Sequence, residues 1–277
     1  MTRRELVEQI KSKRSFLCIG LDPVLEKLPK HLRSHPDPIF EFNRQIIEAT
    51  HDLCVAFKPN TAFYECLGVK GWQSLQHTFD AIPTNCFSIA DAKRGDIGNT
   101  SLMYARAFFH QPESVFDFDA ITVSPYMGED SVAPFLQFDN KWIVVLGHTS
   151  NKGSGDFQKL ETPNGQLYLQ VINTSKTWGN AHNMMYVIGA TQPAYAFKEV
   201  RIRVPDHFLL VPGIGAQGGS LDEVCEHGLN NDIGLLVNSS RQIIYASSGE
   251  DFAEAARREA INVQQQMQAI LEKRNLI

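Results

Sequence analysis

The chain has 277 residues, with 26 Lys and Arg against 31 Asp and Glu and a formal net charge of −5. An apolar fraction of 43% and a charged fraction of 21% exclude disordered, collagenous and coiled-coil classes and predict a packed core, in one large α/β domain or two small ones. The mild acidity lacks the basic excess of a typical nucleic-acid binder, so an anionic ligand would have to be held by a few local groups.

The first fifteen residues, MTRRELVEQIKSKRS, are charged and helical in pattern and carry no apolar core of an export signal. Eight short apolar runs then recur, at 16–21, 53–57, 86–90, 120–123, 142–146, 185–188, 208–211 and 235–237. Each is nearly continuous rather than alternating, the pattern of a parallel strand buried on both faces. Helical spacing fills the intervals. It is seen from Phe40 through Ile46, Ile47 and Leu53, and again over 102–109. It is clearest at the end, where Phe252, Ala256, Ala260, Val263, Met267, Ile270 and Leu271 recur three or four apart. Eight β/α alternations predict a single (β/α)8 TIM barrel over residues 1–277 rather than an open doubly wound sheet. After the fifth strand the polar, glycine-containing segment 149–166 predicts a long, mobile loop that could serve as a lid.

Cys18, Cys54, Cys66, Cys86 and Cys225 are odd in number and include no C-x-x-C pair, which predicts buried thiols in a reducing compartment. No apolar run approaches the roughly 20 residues needed to span a bilayer. A cytoplasmic protein without membrane contact is expected. The nine histidines show no H-x-x-x-H or H-E-x-x-H spacing, and no metal site is expected.

A barrel builds its active site from the C-terminal ends of its strands. The predicted strands deliver Asp22, Lys58, Asp91 with Lys93 and Asp96, Ser150, Gly213 and Arg241 to that end. Asp91 and Lys93 are two apart and share a face of a regular strand. With Lys58 and Asp96 able to approach, they predict an alternating Lys/Asp array in which Lys93 stays an ammonium. Such a lysine is an acid rather than a Schiff-base nucleophile, and it suits proton delivery to a developing carbanion.

The turn PGIGAQGG at 212–219 contains a G-x-G-x-x-G spacing at Gly213, Gly215 and Gly218. A dinucleotide fingerprint belongs after the first strand, with an acidic residue ending the next; here the turn comes late, and the following run leads to Arg241. Glycine-turn amides backed by an arginine read as a phosphate clamp, which barrels often place after strands seven and eight.

The segment Asp91-Ala92-Lys93-Arg94-Gly95-Asp96-Ile97-Gly98-Asn99-Thr100 fits a D-x-K-x-x-D-I-x-x-T motif, and the chain resembles the orotidine 5′-phosphate decarboxylase family, in its longer bacterial form, over nearly its whole length. The resemblance implies conversion of orotidine 5′-monophosphate to UMP and CO2, the last step of de novo pyrimidine synthesis, without metal or organic cofactor. It implies that Lys93 protonates C6 of the pyrimidine and that Asp91 lies against the departing carboxylate. Lys58 and Asp22 would position the charged network and the ribose hydroxyls. It further implies a homodimer in which Asp96, Ile97 and Thr100 enter the neighbour's site, Gly215, Gln217 and Arg241 as phosphate ligands, and Ser150 on the pyrimidine. The loop after strand five is longer than in compact members of the family, and Pro59-Asn60 follows Lys58 where those members carry small residues.

Two alternatives stand beside this reading. One is another phosphate-binding barrel lyase, of the keto-gulonate phosphate decarboxylase or hexulose phosphate synthase kind, which resembles an E-x-D-x-x-K pattern with magnesium; no E-x-D precedes Lys93. The other is a non-catalytic nucleotide-binding barrel, which would gain little from crowding carboxylates beside an anionic ligand.

Overall fold

The computed structural model describes residues 1–109, 114–215 and 218–277. Its strands are β1 (Leu17–Leu21), β2 (Ala56–Pro59), β3 (Phe87–Arg94), β4 (Ala120–Val123), β5 (Trp142–His148), β6 (Glu161–Thr162), β7 (Gly165–Gln166), β8 (Met184–Ile188), β9 (Phe208–Pro212) and β10 (Leu235–Ser239). All but the short β6–β7 pair close into a barrel in the order β1-β10-β9-β8-β5-β4-β3-β2, and every pairing in it is parallel. Every residue of β1, β8 and β10 is buried, as continuous apolar runs require when helices cover the outside. The TIM barrel expected from the sequence is the observed architecture.

One end of the barrel is sealed. Phe87, Trp142 and Phe208, the first residues of β3, β5 and β9, meet edge-to-face at 6.0 and 6.1 Å. Helix Arg3–Lys13 lies beneath them, started by a Thr2/Glu5 capping box. The Trp142 indole donates to the Met1 carbonyl at 2.9 Å, the Met1 ammonium meets Asp119, and Arg3 donates to Ala181 O at 2.8 Å. The strands finish at the opposite end, where a barrel gathers its functional side chains.

Element ends differ in places from the expected ones. Helix Pro38–Thr50 stops three residues before Leu53, and β2 begins only at Ala56. The Lys13 ammonium accounts for the break: it lies 2.9 Å from His51 O and 3.0 Å from Cys54 O, satisfying carbonyls that a longer helix would have used itself. The last helix, Phe252–Lys273, buries the predicted stripe except the half-buried Ile270, with Phe252 stacked on Phe42 of helix Pro38–Thr50 at 5.1 Å. Four of the five cysteines are buried and all five are free thiols, but Cys66, predicted to be buried, is exposed at the end of the turn Ala62–Glu65. No helix among the described residues is long and apolar enough to cross a membrane.

Candidate active site

A cavity of about 520 Å³ opens at the C-terminal end of the barrel. Leu146, Val187 and Leu210 make its apolar wall, Lys58, Asp91, Lys93 and Thr122 its charged wall, and Thr149, Ser150, Asn151 and Gln158 border it from the loop after β5. The charged wall is one bonded unit. Lys58 Nζ donates to Asp91 Oδ2 at 2.8 Å, and Lys93 Nζ donates to Asp91 Oδ1 at 2.6 Å. The Thr122 hydroxyl also donates to Oδ1, at 3.0 Å.

Lys58, Asp91 and Lys93 meet as expected, without Asp96 and through a different cause. Ala90 pairs with Ile121 and Arg94 with Val123, so four steps along β3 match two along β4 and the strand is bulged across the motif. Within the bulge Lys93 takes a left-handed backbone, φ +48°, which a residue with a side chain adopts only at a cost. Its amide donates to Thr122 Oγ1 at 2.9 Å. The lysine and aspartate therefore meet through a deformation of the strand, where the sequence predicts simple alternation.

Asp91 and Lys58 are 8% and 4% exposed. Burial by itself would push the Asp91 carboxyl up, but the two ammoniums at bonding distance reverse this and hold it well below the usual carboxylate range. Burial alone would lower Lys58; Asp91 and Asp22 more than offset it, and its pKa lies above the ordinary lysine value. Both groups are thus held in their charged forms. Lys93, with half of its side chain accessible, is the member of the set that reaches the open space.

Asp22 follows β1. The Ser240 hydroxyl lies 2.7 Å from its Oδ2 and 3.1 Å from Gly20 O. A Cβ at Gly20 would come within 2.7 Å of Ser240 Cβ, so the glycine permits this approach. The other carboxylate oxygen, Oδ1, is buried without a hydrogen-bond partner among the described residues.

The remaining predicted residues lie elsewhere. Asp96, Ile97 and Thr100 are not among the residues lining the cavity, so within one chain Asp96 does not join the Lys/Asp array. After Arg94 the backbone turns away: Asp96 N–H donates to Ser101 Oγ at 3.0 Å and Asp96 Oδ1 accepts from Ile97 N–H at 2.7 Å. Ile97 is left 55% exposed. Arg94 itself points outward to Glu65 and over the Tyr104 ring.

Gly213, Gly215 and Gly218 all have positive φ, as a tight turn needs. The turn uses several of its own amides: Gly218 N–H donates to Gly215 O at 2.8 Å and Gly219 N–H to Gly213 O at 3.2 Å. A Cβ at Gly215 would run into the Gln242 amide, which places the glycine turn beside the segment that begins at the exposed Arg241. Gln217 lies outside the described residues.

The loop at 149–166 is more structured than the sequence predicts. It contains the helical turn Lys152–Asp156 and the β6–β7 hairpin, whose tip Pro163-Asn164 with Gly165 at φ +99° is a legible turn signal. Gln158 ties the loop to the end of β5, accepting from Thr149 N–H at 2.9 Å and donating to Thr149 Oγ1 at 2.8 Å. Sequence reasoning missed Gln158, Thr122 and Ser240. The signal for Thr122 was its place near the end of the fourth apolar run; the other two sit on loops with no motif around them.

A larger cavity of about 670 Å³ lies at the sealed end, beside helix Arg3–Lys13. Its Arg3 and Arg4 are already paired with Asp232 and Glu8, and strand C-termini do not reach it. Among the described residues no cluster of three or more His, Cys, Asp or Glu is arranged to hold a metal ion.

A sequence profile of the orotidine 5′-phosphate decarboxylase / HUMPS family matches residues 15–258. The chain is 61% identical over 277 residues to an orotidine 5′-phosphate decarboxylase of Flavobacterium johnsoniae, covering 99% of this chain and 100% of that one. Among solved structures, Leishmania donovani OMP decarboxylase is 36% identical with a TM-score of 0.79, covering 96% of this chain and 100% of that one. Leishmania donovani UMP synthase is 39% identical with a TM-score of 0.80, covering 94% of this chain but 56% of that one, so this chain spans little more than half the length of that protein. With a matching profile, a full-length relative and the same barrel, the chain belongs to the orotidine 5′-phosphate decarboxylase / HUMPS family.

Proposed function

We propose that this chain decarboxylates orotidine 5′-monophosphate to UMP and CO2 in pyrimidine biosynthesis. The observation that carries the reading is the Lys58–Asp91–Lys93 unit on the wall of the cavity at the strand C-termini. Loss of CO2 from C6 of the pyrimidine leaves an electron pair in the plane of the ring, where the ring π-system cannot absorb it. Fixed charge must stabilise it instead. Lys93, whose ammonium reaches the open side of the array, is the group to lie against the developing carbanion and hand it a proton. Asp91 is the group to lie against the departing carboxylate, and Lys58 holds Asp91 ionised and in place.

Asp22, at the end of β1 beside Ser240, would take the ribose hydroxyls once a side-chain shift exposes its buried, unpartnered Oδ1. Ser150 and Gln158, which border the cavity, would face the pyrimidine. The glycine turn at Gly213 and Gly215, with Gln217 and Arg241, takes the phosphate. Since that turn spends amides on itself, Arg241 carries much of the phosphate attraction. Binding energy gained on the distant phosphate can be used to hold the pyrimidine against the charged wall. The chain acts as a cytoplasmic homodimer in which Asp96, Ile97 and Thr100 complete the neighbour's site; the exposure of Ile97 and the outward turn at Asp96 support that arrangement.

Purified protein mixed with orotidine 5′-monophosphate tests the reading: the substrate's absorbance falls as an equivalent of CO2 is released, and the rate survives EDTA. No turnover would sink it, and CO2 release from orotidine 5′-monophosphate that stops on addition of EDTA would overturn its metal-free chemistry.

A further inference from the structure

The reaction as described leaves Thr122 without a role, although it is 1% exposed, lines the cavity and touches both residues at its chemical centre. We propose that Thr122 is a positioning residue for proton delivery by Lys93, an inference that rests on the decarboxylase reading.

One oxygen atom makes two bonds of different purpose. As acceptor, Thr122 Oγ1 takes the Lys93 amide at 2.9 Å and so gives the left-handed backbone of Lys93, φ +48°, a fixed partner at the bulge. As donor, it binds Asp91 Oδ1 at 3.0 Å, the same oxygen on which Lys93 Nζ rests at 2.6 Å. Both ends of Lys93 are thereby referred to one hydroxyl, its Cα through the amide and its ammonium through the carboxylate. The hydroxyl also settles the carboxylate's rotation, leaving Oδ1 to Lys93 and Oδ2 to Lys58. Threonine suits the task, because branching at Cβ restricts χ1 and holds the hydroxyl where the strand puts it. β4 in turn is paired on both sides, by β3 and β5, so the reference point belongs to the rigid barrel rather than to a loop.

The reaction is sensitive to this placement because proton transfer needs the donor nitrogen aligned with C6, and errors near an ångström cost about 100-fold in rate. Thr122→Val keeps the shape, removes both bonds and leaves the Lys93 amide without its acceptor. The expected result is a kcat lower by about 100-fold with KM for orotidine 5′-monophosphate within about threefold of the parent, the mark of an interaction that acts on the chemical step. Thr122→Ser keeps the hydroxyl and is expected to recover kcat to within about fivefold of the parent, which a purely packing role would not do, since serine loses the methyl that valine retains. If the valine variant does not fold, Thr122→Ala carries the same expectation against Thr122→Ser.

A kcat for Thr122→Val within twofold of the parent overturns the proposal, as does a serine variant no better than the hydroxyl-free one. A rise in KM at unchanged kcat also overturns it, because Thr122 would then be a substrate contact. Parent enzyme and Lys93→Ala are run alongside: an inactive parent removes the decarboxylase reading, an active Lys93→Ala removes the acid assignment, and only an active parent with an inactive Lys93→Ala isolates the failure to Thr122.

Discussion

Replacing Asp91 by asparagine removes the negative charge at the centre of the array while keeping nearly the same volume, and the structure sets the size of the effect. Lys58 is 4% exposed and 2.8 Å from the carboxylate. At an effective dielectric near 20, such a pair attracts by about 6 kcal/mol, part of which desolvation cancels. Breaking buried pairs from one side costs about 3–5 kcal/mol, because the remaining charge stays buried and uncompensated. The second ammonium, on Lys93, is half exposed and adds at most about 1 kcal/mol. Asp91→Asn should therefore lose about 3–5 kcal/mol at pH 7, nearly all of it through Lys58. The pH dependence carries the sign. In the parent, the Asp91 carboxyl is depressed, so its contribution is present above about pH 3.9 and lost as pH falls. The raised Lys58 contributes below about pH 10.4 and loses that contribution as pH rises through its elevated pKa. In the variant Lys58 keeps Asp22 but loses Asp91 against burial, so its pKa falls from the parent's raised value and its ammonium is given up at lower pH than in the parent. The gap between the two proteins is thus full from about pH 4 through neutrality, and it narrows below about pH 3.9 and as pH rises through the variant's lower Lys58 pKa. Denaturant unfolding followed by circular dichroism at about pH 3, 7 and 10 measures it. A variant within about 1 kcal/mol of the parent at pH 7, below the range for a broken buried pair, or a gap independent of pH, would refute the argument.

Lys93→Ala should abolish turnover with the fold intact, since the ammonium is half exposed and supports little packing; steady-state rates beside a far-ultraviolet spectrum decide it. Arg241→Ala should mainly raise KM if Arg241 holds the phosphate as proposed, far from the reacting carbon, and a fall in kcat at unchanged KM would contradict that role. Mixing inactive Lys93→Ala with inactive Asp96→Ala tests the shared site: in a symmetric dimer, random exchange yields hybrids with one intact site, restoring about a quarter of parental activity, whereas a site built within one chain restores none. His148, buried and stacked on Tyr168 at 4.0 Å, is pushed down to about 4 by burial and by Lys159. The unfolded chain therefore takes up a proton between pH 6.5 and 4 that the folded chain resists, and stability falls by about 2 kcal/mol between pH 7 and 5 on this account. His148→Phe, which keeps an aromatic ring in the stack, should flatten that part of the slope. His207, also pushed down to about 4 by burial first and by Arg201 and Arg3, retains its own share.

What could be read from the chain depended on how local the cause was. The barrel was legible because each strand is buried on both faces and so appears as an uninterrupted apolar run, independent of its neighbours. Asp91, Lys93 and Lys58 were legible because strand ends define where a barrel gathers its side chains. The bulge in β3 was not, since it arises from a mismatch with β4 that neither segment displays alone. Thr122 escaped for the same reason: within its own run it is one more β-branched residue, and only the register against β3 gives its hydroxyl two partners. Spacing alone could not place Asp96 within the chain, because the chain leaves the strand at Gly95 and Asp96 is held by Ser101, five residues beyond it.

The charge balance explains why geometry must carry so much of the catalysis. Lys58, Asp91 and Lys93 together hold one positive charge in excess. A substrate carboxylate brings one negative charge to the array, and when CO2 departs as a neutral molecule that charge remains behind on C6. The total charge facing the array is the same before and after the bond breaks, so net attraction cannot favour the transition state over bound substrate. Only the position of the charge changes, from the carboxylate oxygens toward the ring carbon. Selective stabilisation then requires that Asp91 stand nearer the first position and the Lys93 ammonium nearer the second. Two groups bonded to each other at 2.6 Å can divide the space in that way only if their common orientation is fixed from outside the pair, and the buried hydroxyl on β4 is where the structure anchors it.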